Sequence, residues 1–234
     1  MRTPKHHLIS LIKITNYPED MLAGDLFCNR LQYYREAELE EVGDKFEATA
    51  VSRPLYKLID EELLLSPVFC MYSVEATKKD DTSKIQISDE RLKKFGQYAI
   101  VITDVKEFIN RTNSNLRDFS YEAVRYIDMK NPEGIYSQAI FNPIVTKDKY
   151  FKYQQEFRIF SHAWSLSNNT DFMLPNVKYV SEKWKKFPVG DLEDIAKLYD
   201  TKDLFSGVNV ELKIDWDFCR KDKFQTKLPK LKSK

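Results

Sequence analysis

Leu8 to Thr15 (LISLIKIT) is an apolar, β-branched run and predicts a buried first strand. Pro18-Glu19-Asp20 then predicts a short helix, since Pro suits the first turn and the acids complement its positive end. Gly24 stops it, and Leu26, Phe27 and Leu31 continue the core. Val68 to Val74, Tyr98 to Thr103, Tyr121 to Ile127 and Val208 to Ile214 read as further strands, with Tyr98–Thr103 the strongest central one. A helix over Asp89–Phe95 is predicted with Ser88 as its cap, and Asp104 caps another running to about Arg111. Asp191 to Tyr199 has the pattern of a short amphipathic helix, and Ile140 to Val145 of a short element. Ala76–Ser83, Asn131–Gly134 and Ser165–Thr170 read as loops or turns. Without repeats or a Gly/Ser-rich linker, this order predicts one α+β domain over residues 1–219, with a mostly antiparallel sheet that could be split.

The stretch with the most chemistry is Lys147 to His162 (KDKYFKYQQEFRIFSH), in which Tyr153 to Phe160 is predicted as a strand. Alternation sends Gln155, Phe157 and Ile159 to one face and Gln154, Glu156 and Arg158 to the other. Gln154 and Glu156 would then emerge about 6.6 Å apart, at ~3.3 Å per residue. Such a Gln-x-Glu-x-Arg face is either one wall of a polar cleft or a solvated strand surface. On either reading, Glu156→Gln is expected to change stability only slightly.

Hydrophobic residues make up 42% of the chain and aromatics 13%, enough for a sizeable core. The 37 basic and 36 acidic residues cancel, so no global field draws the protein to nucleic acid or an anionic surface. Six glycines form no phosphate-cradling loop, and three histidines leave little material for a catalytic triad or a multi-histidine metal site. Cys28, Cys70 and Cys219 are widely spaced and read as reduced thiols, Cys70 as an inert one. With no long apolar run or signal-like start, a cytoplasmic protein away from membranes is expected. The acidic run Glu38, Glu40, Glu41, Asp44, Glu47 reads as a solvated helix face turning at Gly43, with a divalent-ion site as the alternative. Residues 220–234 form a basic tail. It is a frayed terminus or, through Lys223, Lys227, Lys230 and Lys232, a weak nucleic-acid contact.

Gly24 to Glu47, the CMYS of Cys70–Ser73 and the YQQEFRI of Tyr153–Ile159 resemble, in that order, a set of uncharacterised phage and bacterial proteins. The same order resembles, more distantly, the ADP-ribosyltransferase fold. There a first strand and short helix precede a Ser- or Tyr-bearing strand and a late strand carrying Q-x-E or E-x-E. The resemblance implies an enzyme that splits NAD and passes ADP-ribose to a macromolecule, RNA or DNA among the candidates. It also implies a toxin–antitoxin or phage-defence setting, with an antitoxin or host protein as partner. Glu156 would stabilise the ribosyl cation and Gln154 would orient the acceptor. Lys13, Thr15, Tyr72 and Ser73 would hold the nicotinamide end, and Arg158 would hold the pyrophosphate. Lys13 stands where that fold has His or Arg, and Ser73 is the lone serine of its segment. The assignment needs Tyr72, Ser73 and Glu156 to face one cleft.

Two rival readings use other residues. Asp203 and the Glu211-x-Lys213 pair match a Mg²⁺-dependent nuclease of the D…E-x-K type. Tyr33, Tyr34, Trp164 and Trp184 could instead form an aromatic surface of a non-enzymatic inhibitor docking on a phage or host protein.

Overall fold

The structure is a computed structural model, and it describes residues 5–37, 41–52, 56–59, 61–116, 119–130, 142–161 and 184–224. The first strands are β1 (His7–Thr15), β2 (Asp25–Arg30), β3 (Thr49–Ser52), β4 (Tyr56–Ile59), β5 (Pro67–Ala76), β6 (Lys84–Ile85) and β7 (Tyr98–Ile102). They are followed by β8 (Ser120–Ala123), β9 (Arg125–Ile127), β10 (Thr146–Asp148), β11 (Glu156–Phe160), β12 (Trp184–Pro188), β13 (Ala196–Asp200) and β14 (Val208–Asn209). The helices are short: α1 (Pro18–Leu22), α2 (Leu31–Glu36), α3 (Glu61–Leu64), α4 (Val105–Asn115) and α5 (Thr201–Ser206). The chain is thus a mixed α/β fold with a mostly antiparallel sheet and few helices. No helix among the described residues is long and apolar enough to cross a membrane.

The main sheet runs β12-β2-β5-β1-β7-β13, with β11 added to β5 and β8 added to β11. Its geometry follows from the partners of β5. Tyr72 lies opposite both Ile12 and Glu156, and Val68 opposite both Asn29 and Phe160, so β11 occupies one edge of β5 while β1 and β2 share the other. On that shared edge β2 pairs with Pro67 and Val68, and β1 pairs from Tyr72 onward. Phe69 to Met71 face a gap between the two strands.

Alternation in β1 and β7 feeds two cores. Leu11 and Ile100 join Phe69, Phe157, Phe108 and Ile109 on one side. Ile12, Ala99 and Val101 join Ile85, Leu92 and Leu204 on the other. A third cluster of Leu31, Val68, Ile144 and Phe160 packs at the end of β5 and β11 where Val68 pairs with Phe160.

Several expectations hold. β1, β5, β7, α1 and α4 fall where the pattern places them, and the Asp104 carboxylate accepts from the Glu107 amide as an N-cap. Others are corrected. The turn at Glu90–Phe95 is a 3₁₀ helix capped by Asp89, not Ser88, because the Asp89 carboxylate takes the Arg91 amide. Tyr121–Ile127 divides at Val124 into β8 and β9, which belong to different sheets. Asp191–Tyr199 ends in strand β13 rather than forming a helix, since the free edge of β7 offers it a ladder from Ala196 to Asp200. Val208–Ile214 is a strand only over β14. Phe27, expected in the core, is 36% exposed, because it lies on the opposite side of β2 from the buried Leu26 and Cys28.

The packed chain also continues past residue 219. Phe224 is buried against the rings of Tyr121, Phe157 and Phe218, and its carbonyl accepts from the Ala123 amide at 2.9 Å. Basic composition hid this one aromatic anchor, which fills the end of the main core. Phe224→Ala should therefore destabilise the fold by about 3–5 kcal/mol in urea unfolding. Removal of residues 221–234 should cost at least as much, and an unshifted midpoint for both would refute this anchoring role.

Candidate functional site

The Lys147–His162 stretch meets the sheet in an unexpected way. Asp148 caps a 3₁₀ turn over Lys149–Gln154 by accepting from the Tyr150 amide. Gln155 then adopts a left-handed conformation, φ 40°, before the chain enters β11 at Glu156. The strand predicted from Tyr153 thus begins three residues later. The Gln155 carbonyl is held by the amide and hydroxyl of Ser73, at 2.9 and 2.7 Å. Gln154 therefore reaches Glu156 from a turn, not along a strand face.

That face is not solvated. β11 lies between β5 and β8, and Arg158 is fully buried. Its guanidinium donates to Glu156 Oε2 at 2.8 Å, to both oxygens of Glu47 and to the Ile144 carbonyl. Lys147, also buried, donates from Nζ to Gln154 Oε1 and Glu156 Oε1, each at 2.7 Å, and lies 3.7 Å from Glu47. Two cations and two carboxylates thus form a closed, neutral cluster. The Glu156 backbone amide donates to the Tyr126 hydroxyl.

The electrostatics follow from this arrangement. Burial would raise the pKa of Glu156, but Arg158 and Lys147 outweigh it and bring it down to about 2. Burial likewise opposes charge on Lys147, yet Glu156 and Glu47 hold its pKa above the ordinary lysine value. Burial and the neighbouring Glu47 raise the pKa of Asp44, whose carboxylate accepts from the Phe46 and Asp148 amides.

The acidic run is corrected accordingly. Asp44 and Glu47 are buried in a succession of turns, with Ala48 at φ 55°, and do not line a solvated helix. Residues 38–40 of the run lie outside the described residues. No group of three or more metal-ligating side chains is present among the described residues.

Beside the cluster, a half-open cleft of about 90 Å³ is lined by Lys13, Tyr34, Cys70, Tyr72, Lys147, Gln154 and Glu156, with apolar walls from Ile12, Ile14, Leu92 and Phe95. The gap in the sheet lets both faces contribute. Lys13 sits on the opposite side of β1 from Ile12, yet its Nζ reaches the Cys70 carbonyl at 2.9 Å, over the face of the Phe69 ring. Tyr72 and Glu156 are cross-strand neighbours on one face. Val42 and the Glu41 carbonyl close the far side, where the Gln154 amide donates at 2.6 Å.

Of the residues named from sequence, Lys13, Tyr72, Gln154 and Glu156 meet here. Ser73 does not, since it is absent from the lining and its hydroxyl is turned to the Gln155 carbonyl. Thr15 is not among the lining residues and accepts from the Tyr17 amide. Arg158 is enclosed by its partners and is not free to hold pyrophosphate. Gln154 has its carbonyl oxygen on Lys147 and its amide on Glu41 and Tyr153, so it is committed within the protein. Sequence reasoning missed Lys147 and Glu47 as members of the site. The one sequence signal was Lys147 at the head of the same stretch, and for Glu47 nothing local distinguished it from its neighbours in the run.

Lys213 pairs with Asp104, and Glu211 lines a shallow depression with Asp80 and Asp81. Tyr33 is exposed, whereas Tyr34 turns its ring into the cleft. Trp164, His162, Lys227, Lys230 and Lys232 lie outside the described residues, and Lys223 is exposed at the end of the described chain. Comparison with family models, with curated proteins and with solved structures finds no match to this chain.

Removing the Glu156 charge leaves two buried cations to share the one carboxylate of Glu47, so Glu156→Gln should cost about 3–5 kcal/mol at neutral pH rather than almost nothing. Because its folded pKa is depressed, the stabilisation from Glu156 is complete above the unfolded value near 4.5 and is lost as pH falls toward about 2. Urea unfolding at a series of pH values should show the wild-type advantage over Glu156→Gln shrinking across that window. A constant difference down to pH 2 would contradict the ion-paired assignment.

Proposed function

We propose that the chain is an ADP-ribosyltransferase-like enzyme that takes the nicotinamide end of NAD at this cleft and transfers ADP-ribose to a macromolecular acceptor, nucleic acid among the candidates. The setting suggested by the sequence resemblance is toxin–antitoxin or phage defence. The observation that carries the reading is the meeting of Lys13, Tyr72 and Glu156, from β1, β5 and β11, around one opening. A polar first-strand side chain, a middle-strand tyrosine and a late-strand glutamate are the elements the resemblance calls for, in its Tyr-bearing form, with Lys13 standing where that fold has His or Arg. Ser73, Thr15 and Arg158 drop out of the assignment and Gln154 is committed within the protein, so of the three residues required to share the cleft only Tyr72 and Glu156 do.

In the reaction the nicotinamide–ribose C–N bond breaks and its electron pair leaves with nicotinamide, which becomes neutral. The ribosyl carbon is left cationic until an acceptor oxygen or nitrogen attacks it and gives up a proton. A carboxylate aimed at that carbon stabilises the developing charge, an effect of about 2.7–4 kcal/mol when one preorganised group is removed. Glu156 suits the role because Arg158 and Lys147 keep it ionised at any physiological pH. Those same cations weaken its field, so its share lies toward the lower end. Tyr72 offers a ring to stack on nicotinamide.

Nicotinamide release from NAD tests the proposal. Glu156→Gln, assayed at a temperature where circular dichroism shows it folded, should lose roughly 10²-fold in turnover. Tyr72→Ala should raise KM. Wild-type turnover in folded Glu156→Gln, or no nicotinamide release by the wild-type protein with nucleic acid and protein acceptors supplied, would refute it.

A further inference from the structure

The cleft contains two amines in different states. Lys147 is engaged by Gln154, Glu156 and Glu47. Lys13 is held only by the Cys70 carbonyl and the Phe69 ring, with no carboxylate within salt-bridge distance among the described residues. It is nonetheless partly exposed and lines the opening, with Ile12, Ile14 and Met71 beside it. A side chain that merely filled the gap between β1 and β2 would have no need to face a cavity. We propose that Lys13 is a nucleophilic amine that forms an imine with a small aldehyde, of the size of a short sugar, entering this cleft.

The surroundings favour the free amine. Burial lowers the pKa of Lys13. The groups facing it are the thiols of Cys28 on β2 and Cys70 on β5, the phenols of Tyr34 and Tyr72, Lys147, and Glu156 on β11. Burial raises both thiols, Cys70 to about 11, and also raises the two phenols, so all four are neutral at pH 7. Glu156 is the one anion in this set, and both of its oxygens already serve Arg158 and Lys147. Burial thus opposes a proton on Lys13, and the one anion that favours it, Glu156, is already paired with Arg158 and Lys147; this is the setting in which a lysine becomes a nucleophile.

The chemistry balances without a further reactant. The Lys13 nitrogen attacks the carbonyl carbon and the π electron pair moves to oxygen. The resulting carbinolamine loses that oxygen as water, with both hydrogens of water drawn from the amine through solvent exchange. The cleft is large enough for a compound of a few carbons. Its apolar walls limit the water that would reverse the step.

The test uses the full chain with glyceraldehyde and sodium cyanoborohydride, which traps the imine as a secondary amine. Peptide mapping by mass spectrometry then reads the rate at each lysine. At pH 7, Lys13 should be modified severalfold faster than the exposed Lys79 and Lys197, and Lys147 should stay unmodified. The rate at Lys13 should level off at a lower pH than at the exposed lysines. Lys13→Met should abolish the fast site, and because the ranking is read in the wild-type chain, the test survives if that variant fails to fold. Labelling of Lys13 no faster than of Lys79 and Lys197, or with their pH profile, would overturn the inference. No NAD is needed, so the outcome is independent of the function proposed above. Fast labelling that NAD does not slow would leave Lys13 reactive while counting against NAD as the occupant.

Discussion

The buried guanidinium of Arg158 is the constraint on which this structure depends. A lone cation in a protein interior costs several kcal/mol in lost hydration, and only well-placed carboxylates and carbonyls offset it. Arg158 finds them in Glu47, Glu156 and the Ile144 carbonyl, and Lys147 closes the circuit. These groups come from three stretches of chain, around Glu47, residues 144–147 and β11. The cluster therefore ties the turns around Glu47, the β9–β10 pair and β11 to one another. It adds direction, since hydrogen bonds to a planar fork fix angles as well as distances.

Backbone strain is distributed in keeping with that constraint. Among the described residues, the two non-glycine positions with positive φ are Ala48 and Gln155. One follows Glu47 and the other precedes Glu156. Each left-handed residue turns the chain so that the adjacent carboxylate can reach the same guanidinium. Such conformations persist where the surroundings over-determine them. Here the Ser73 amide and hydroxyl on the Gln155 carbonyl supply part of that determination. Ser73 thus acts on the site through the backbone rather than by facing it.

The cleft exists because the sheet does not close. β1 and β2 both pair with one edge of β5 but leave Phe69–Met71 between them. A continuous ladder would have hidden Lys13 on the far face. The gap instead frees the Cys70 carbonyl, and the Lys13 amine donates to it while standing at the opening. The polar end of the cleft is held by buried ion pairs, whereas at the Glu41–Val42 side Gln154 and Tyr153 donate to the Glu41 carbonyl and Lys94 pairs with the Glu41 carboxylate.

Local pattern was enough for β1, α1, β5, β7 and α4, because each buries a face set by its own period and carries its own start or stop signal. It also singled out Glu156 and Arg158 as paired groups on one side of a strand, since alternation alone dictates it. Tertiary structure decided whether that side met water. A carboxylate in an acidic run has the same local signature whether solvated or buried, so Glu47 and Asp44 could not be told from their neighbours. Lys147, likewise, became a partner of Glu156 only when the 3₁₀ turn and the left-handed Gln155 folded the stretch back on itself. The pairing of β13 with β7 and the docking of Phe224 depend on edges and cavities supplied by distant segments. Period and capping are properties of neighbours in sequence, while burial of charge and completion of a sheet edge are properties of neighbours in space.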